Sequence, residues 1–117
     1  MGRVVALMDD LFFQMKLAET AKHLGGVEVK VARTAEALLP LLDSEAKLLI
    51  VDLNSRNQPI ATIERVRAEK NGVRVVGFLS HVQRELAEQA RAAGCDEVMP
   101  RSAFTQSLAA ILAVAKD

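Results

Sequence analysis

The chain contains no tryptophan and no tyrosine, and aromatic residues fill only 3 % of its 117 positions. A protein that holds single-stranded nucleic acid by stacking bases on rings has little to work with here. Cysteine occurs once, as Cys95, so no disulfide can form within the chain. That usage fits a reducing compartment, and a cytoplasmic location is expected. Only three prolines are present, and they form no linker. No apolar run approaches the roughly 18–20 residues that cross a bilayer. The first such run, Val4 to Met8, is too short for a secretory core and is closed by Asp9 and Asp10. An excess of one charge is also missing, because fifteen Lys and Arg cancel fifteen Asp and Glu. Nothing in that balance drives binding to nucleic acid or to an acidic membrane surface.

What is there suits one folded domain over residues 1–117. Half of the residues are hydrophobic and 26 % are charged, which argues against disorder. The length is enough to bury a real core. Residues 3–8 form a β-rich apolar run. Leu11, Met15, Ala18 and Ala21 or Leu24 then recur at helical spacing, with Asp10 placed to cap the helix and Gly25-Gly26 to end it. Phe12, Phe13 and Met15 crowd the start of that helix, so one aromatic is expected to face solvent while another packs. Val27 to Val31 alternates strictly, the pattern of a half-buried strand near a sheet edge.

Thr34 is a plausible cap for a helix over residues 35–42, which Pro40 should shorten or kink. Leu48 to Val51 is a continuous apolar run ending on Asp52. Over so few residues a buried helix and a strand buried on both faces look alike, and the neighbouring elements favour the strand. Pro59 is well placed as the first residue of the next helix, which shows Ile60, Ile63 and Val66 or Arg67 on one face and stops at Asn71-Gly72. A strand over residues 73–79 leads to Ser80-His81. A helix follows from about Val82 to Ala93, with Gly94 as its stop. Residues 97–99 make a short strand before Pro100-Arg101-Ser102, and an apolar helix spans about Phe104 to Val114.

Five strands alternating with five helices predict an α/β domain with a parallel sheet covered on both faces. Right-handed crossovers and an edge position for the second strand select the flavodoxin-like order 2-1-3-4-5. Such a sheet gathers Asp9, Asp10, Asp52, Asn54, Ser80 and Arg101 at its carboxyl edge, where open α/β sheets bind ligands. Three converging carboxylates repel one another and raise at least one pKa. A hard cation such as Mg²⁺ relieves that repulsion, and a hydroxyl with a guanidinium suits a tetrahedral anion. Each residue also has a plainer reading. Asp10 serves as a helix cap worth roughly 1 kcal/mol, Ser80 caps the helix after it, and Arg101 pairs with the acidic cluster. His23 and His81 read as surface and loop residues, with no zinc-ligand spacing around them. Cys95 reads as a small packed residue.

Asp9-Asp10 after the first strand, Leu49-Ile50-Val51-Asp52-Leu53, Phe78-Leu79-Ser80, and Ala93-Gly94-Cys95-Asp96-Glu97 with Pro100 together make the chain resemble the CheY-like receiver domain of two-component response regulators. The resemblance covers nearly the whole length. It implies Asp52 as phosphoacceptor, and Mg²⁺ held by Asp10 and Asp52 directly, by Asp9 through water and by the Asn54 carbonyl. Ser80 would hydrogen-bond the phosphoryl group. Two positions depart from the family pattern. Arg101 replaces the usual lysine and is followed by Ser102 rather than proline, and a guanidinium is not a neutral exchange for an ammonium. Val98 replaces the aromatic residue that rotates inward on activation.

The expected function is therefore an atypical receiver, fed by a sensor histidine kinase or a phosphotransfer protein in a Mg²⁺-dependent phosphorelay. With no output domain in these 117 residues, it would signal to a downstream protein target through protein–protein contacts. The alternative is a phosphorylation-independent pseudo-receiver acting as an interaction module. A third reading, metal-assisted hydrolysis at the acidic crevice, lacks a visible general base and a lid. An enzyme is the least expected of the three.

Overall fold

The computed structural model describes residues 1–80 and 83–116. His81 and the expected helix start at Val82 lie outside the described residues. Five strands, β1 (Gly2–Leu7), β2 (Val27–Ala32), β3 (Ala46–Asp52), β4 (Arg74–Leu79) and β5 (Glu97–Pro100), pair in parallel in the order β2-β1-β3-β4-β5. Between them run α1 (Leu11–Leu24), α2 (Ala35–Leu38), α3 (Pro59–Ala68) and α4 (Arg84–Ala93), and α5 (Arg101–Gln106) and α6 (Leu108–Ala113) close the chain. This is the expected sheet.

Period-2 side-chain alternation splits the core into two layers. Val4 and Ala6 of β1, Leu48 and Ile50 of β3, and Val76 and Phe78 of β4 face α1, α5 and α6. Val5, Leu7, Leu49, Val51, Val75 and Leu79 face α2, α3 and α4. The central strands are buried on both faces, which is why they read as continuous apolar runs. The first layer is aromatic: the rings of Phe78 and Phe104 stack with centroids 4.6 Å apart, and Phe13 lies 5.1 Å from Phe78. The second layer is built of aliphatic side chains and Cys95.

That ring cluster corrects the expected face of α1. The helix buries Phe13, Leu17 and Ala21, while Leu11 and Met15, expected inside, are 61 % and 68 % exposed. Both stripes have helical spacing. The contacts of Phe13 with Phe78 and Phe104 select the one two residues further on. Phe12 is the aromatic left in solvent, at 87 % exposure.

Pro40 acts as expected, because α2 stops at Leu38 and Leu39–Leu41 continues as a 3₁₀ turn. The terminal helix is not the single expected segment. It starts directly at Arg101 and breaks at Ser107. At the end of α4, Gly94 has φ of 119°, a region that L side chains rarely enter, and an added Cβ would meet the Arg67 side chain. Cys95 is packed, as expected, with its thiol 3.1 Å from the Glu97 carbonyl and its pKa pushed up by burial. No helix among the described residues is long and apolar enough to cross a membrane.

Candidate functional site at the carboxyl edge

The parallel sheet points every strand end toward one edge, and the sequence places polar residues there. β3 ends on Asp52, which is only 5 % exposed. Its Oδ1 accepts a hydrogen bond from the Asn54 backbone N–H at 3.0 Å, closing a tight turn, while Oδ2 has no partner among the described residues. Burial pushes the Asp52 pKa up from the ordinary carboxylate value. The Asn54 N–H and the charge of Arg101 oppose that shift, and the charges of Asp9 and Asp10 add to it. Asp52 thus shares a local field with three of the expected site residues.

Asp10 is committed twice. Its Oδ1 accepts from the Phe13 N–H at 3.1 Å, the cap of α1, and its Oδ2 accepts from Arg101 Nη2 at 2.7 Å. The cap and then Arg101 hold its pKa below the usual carboxylate range. The plainer readings of Asp10 as a cap and Arg101 as an ion-pair partner both describe observed bonds. The guanidinium has further support that the sequence does not reveal. Its carbon lies 4.7 Å from the Phe13 ring centroid and 5.6 Å from that of Phe78, both within cation–π range.

The remaining residues join through the loops. Asp9 is exposed and its Oδ2 accepts from the Arg56 N–H at 3.3 Å. The Asn54 side chain spans the edge, accepting from the Ser80 N–H at 2.7 Å and donating to Gln83 Oε1 at 2.9 Å. The exposed Ser80 hydroxyl has no partner among the described residues. Val98 is half-buried and, with Leu79 and Met99, lines a groove of about 290 Å³ beside α4. His23 is exposed near Glu19, as a surface residue.

Sequence reasoning missed Arg56, Gln83 and the two rings under Arg101. No local pattern announces them, since each meets its partner only through the fold.

The donor types at this edge suit a hard cation, since carboxylates and a backbone carbonyl are what Mg²⁺ takes. The side chains as arranged do not yet group for it. Both oxygens of Asp10 are taken, and the described residues contain no cluster of three His, Cys, Asp or Glu side chains set to hold a metal ion. For Asp10 to join a cation with both oxygens free of Arg101, that ion pair has to open.

Comparison with solved structures identifies the fold. A CheY-like receiver domain protein from Methanospirillum hungatei matches 92 % of this chain and 87 % of its own, at 18 % identity and a TM-score of 0.77. The fold is that of the response-regulator receiver. A phosphorylated cyanobacterial phytochrome response regulator covers 97 % and 93 % at 13 % identity, with a TM-score of 0.81. A response regulator from Burkholderia pseudomallei, described with a phosphorylated aspartic acid, a calcium ion and citrate, matches 99 % of this chain and 67 % of its own at 22 % identity, with a TM-score of 0.77. No sequence-family model and no curated protein matches the chain. The receiver fold is carried here by a sequence 13–22 % identical to those of these three structures.

Proposed function

We propose that this receiver-fold protein accepts a phosphoryl group on Asp52. The observation that carries the reading is a buried carboxylate with one oxygen uncommitted, at the carboxyl end of the central strand and within the field of Arg101. In the transfer, Asp52 Oδ2 attacks phosphorus. The bond from phosphorus to the donor's histidine nitrogen or acyl oxygen breaks, the leaving group keeps that electron pair, and an acyl phosphate remains. Such in-line transfer needs positioning and charge neutralisation more than covalent help. Arg101, once it releases Asp10, offers a cation and Ser80 a free hydroxyl for the phosphoryl oxygens. Asp9, Asp10, Asp52 and the Asn54 carbonyl would hold Mg²⁺, which when bound neutralises charge on the transferring group.

The donor is a sensor histidine kinase or a phosphotransfer protein in the cytoplasm. The added charge biases β5, α5 and α6, and a downstream protein reads the change by contact. The test is intact mass after incubation with acetyl phosphate and Mg²⁺. Wild type gains one phosphoryl group and Asp52→Ala gains none. An unmodified wild type that also fails to bind Mg²⁺ sinks this reading.

A second reading, the phosphorylation-independent interaction module, is favoured by one observation. Arg101 is held by Asp10 and two rings, so the crevice already contains its own cation. The same labelling and Mg²⁺-binding experiment decides between the two.

A further inference from the structure

A second concavity, of about 330 Å³, opens between the β2–α2 and β3–α3 connections, and Asp52 is not among its lining residues. Its wall carries three guanidinium groups, Arg33, Arg56 and Arg65, against one carboxylate, Glu36. Arg65 is paired with Glu36 at 2.9 Å and with Glu69 at 3.8 Å. The side chains of Arg33 and Arg56 make no hydrogen bond or ion pair with any described residue. In a chain whose charges cancel overall, two unpartnered cations on one cavity wall are a local excess with no internal anion to meet it.

The rest of the lining supplies donors. Thr34, Asn57, Gln58 and Thr62 are its uncharged polar members. The adjoining α3 begins with Gln58 in the left-handed region and no side-chain cap, which leaves its first-turn N–H groups without a protein acceptor. No aromatic ring lines the cavity, so nothing there stacks a base, and its only carbon-only side chains are two alanines. Its volume lies at the lower end of the roughly 300–1,000 Å³ typical of small-molecule sites. That favours a small ligand over a peptide segment. Paired guanidinium forks match phosphoryl oxygens better than a single carboxylate.

We propose that this cavity binds a small phosphorylated molecule bearing at least two negative charges, gripped by Arg33 and Arg56. The site is separate from Asp52 and does not depend on its phosphorylation. Pyrophosphate is the probe, titrated at constant ionic strength into the ¹⁵N-labelled full chain and followed by amide shifts. Saturable shifts confined to the neighbourhood of Arg33, Asn57 and Ala61 are expected, and they persist in Asp52→Ala. The double variant Arg33→Ala/Arg56→Ala loses affinity by about a hundredfold or more, the scale of two lost charge-assisted hydrogen bonds. Because both side chains are exposed and unpaired, its thermal unfolding matches wild type. Shifts that never saturate, that spread over lysines elsewhere, or that survive in the double variant overturn the proposal. So does equal binding of acetate, loss of the shifts in Asp52→Ala, or tighter binding of a glutamate-rich peptide than of pyrophosphate.

Discussion

The two ends of the sheet's carboxyl edge solve opposite charge problems. At the Asp52 end, three carboxylates share one neighbourhood, and the molecule answers with Arg101, bonded to Asp10 and stacked on Phe13 and Phe78. At the other end, three guanidinium groups meet one carboxylate, and Arg33 and Arg56 stay unpaired. Asp10 is satisfied from within, while Asp52 keeps one open oxygen and the basic end is left for something outside. Arg56 joins them, since its backbone N–H bonds Asp9 while its side chain lines the basic cavity.

Breaking the internal pairing gives the largest stability effect. Asp10→Ala removes the α1 cap and the Arg101 partner together. We expect a loss of about 1–2 kcal/mol, discounted for the partial exposure of the pair, measured by urea unfolding. Because the folded-state pKa of Asp10 lies below its unfolded value, its stabilisation is present above the unfolded value and is lost as pH falls through the folded one. The variant's acid-unfolding curve should therefore be flatter over that window.

Asp52 carries the opposite sign. Its folded-state pKa is raised, so the folded protein binds the proton more tightly and stability falls as pH rises from the unfolded pKa through the folded one. Asp52→Asn removes that cost, and at neutral pH its melting temperature should rise above that of wild type. The smallest effect belongs to the basic end. Arg33→Ala and Arg56→Ala should each change unfolding free energy by less than about 0.5 kcal/mol, as for exposed unpaired residues.

How far the sequence was legible follows from which interactions are local. β1, β3 and β4 were readable because burial on both faces leaves a continuous apolar run, and Pro40 because its missing N–H acts within its own turn. The face of α1 was not, since Leu11-Met15 and Phe13-Leu17 are both plausible stripes and the choice lies with Phe78 and Phe104 far along the chain. The positions of Asp9, Asp10, Asp52, Asn54, Ser80 and Arg101 at one edge followed from topology. Their bonding did not. That Arg101 grips Asp10 while resting on two rings is decided by three separate segments packing together, and no spacing encodes it.

Arg101 fills the cationic place at the acidic end, and under the proposed function it would compete with Mg²⁺ for Asp10. Mg²⁺ titration, followed by the amide signals of Asp9, Asp10 and Asn54, tests it in wild type, Arg101→Lys and Arg101→Ala. Affinity should rise in that order, by about tenfold or more overall, since removing the guanidinium frees a charged hydrogen bond. Equal affinity in all three proteins would contradict the account.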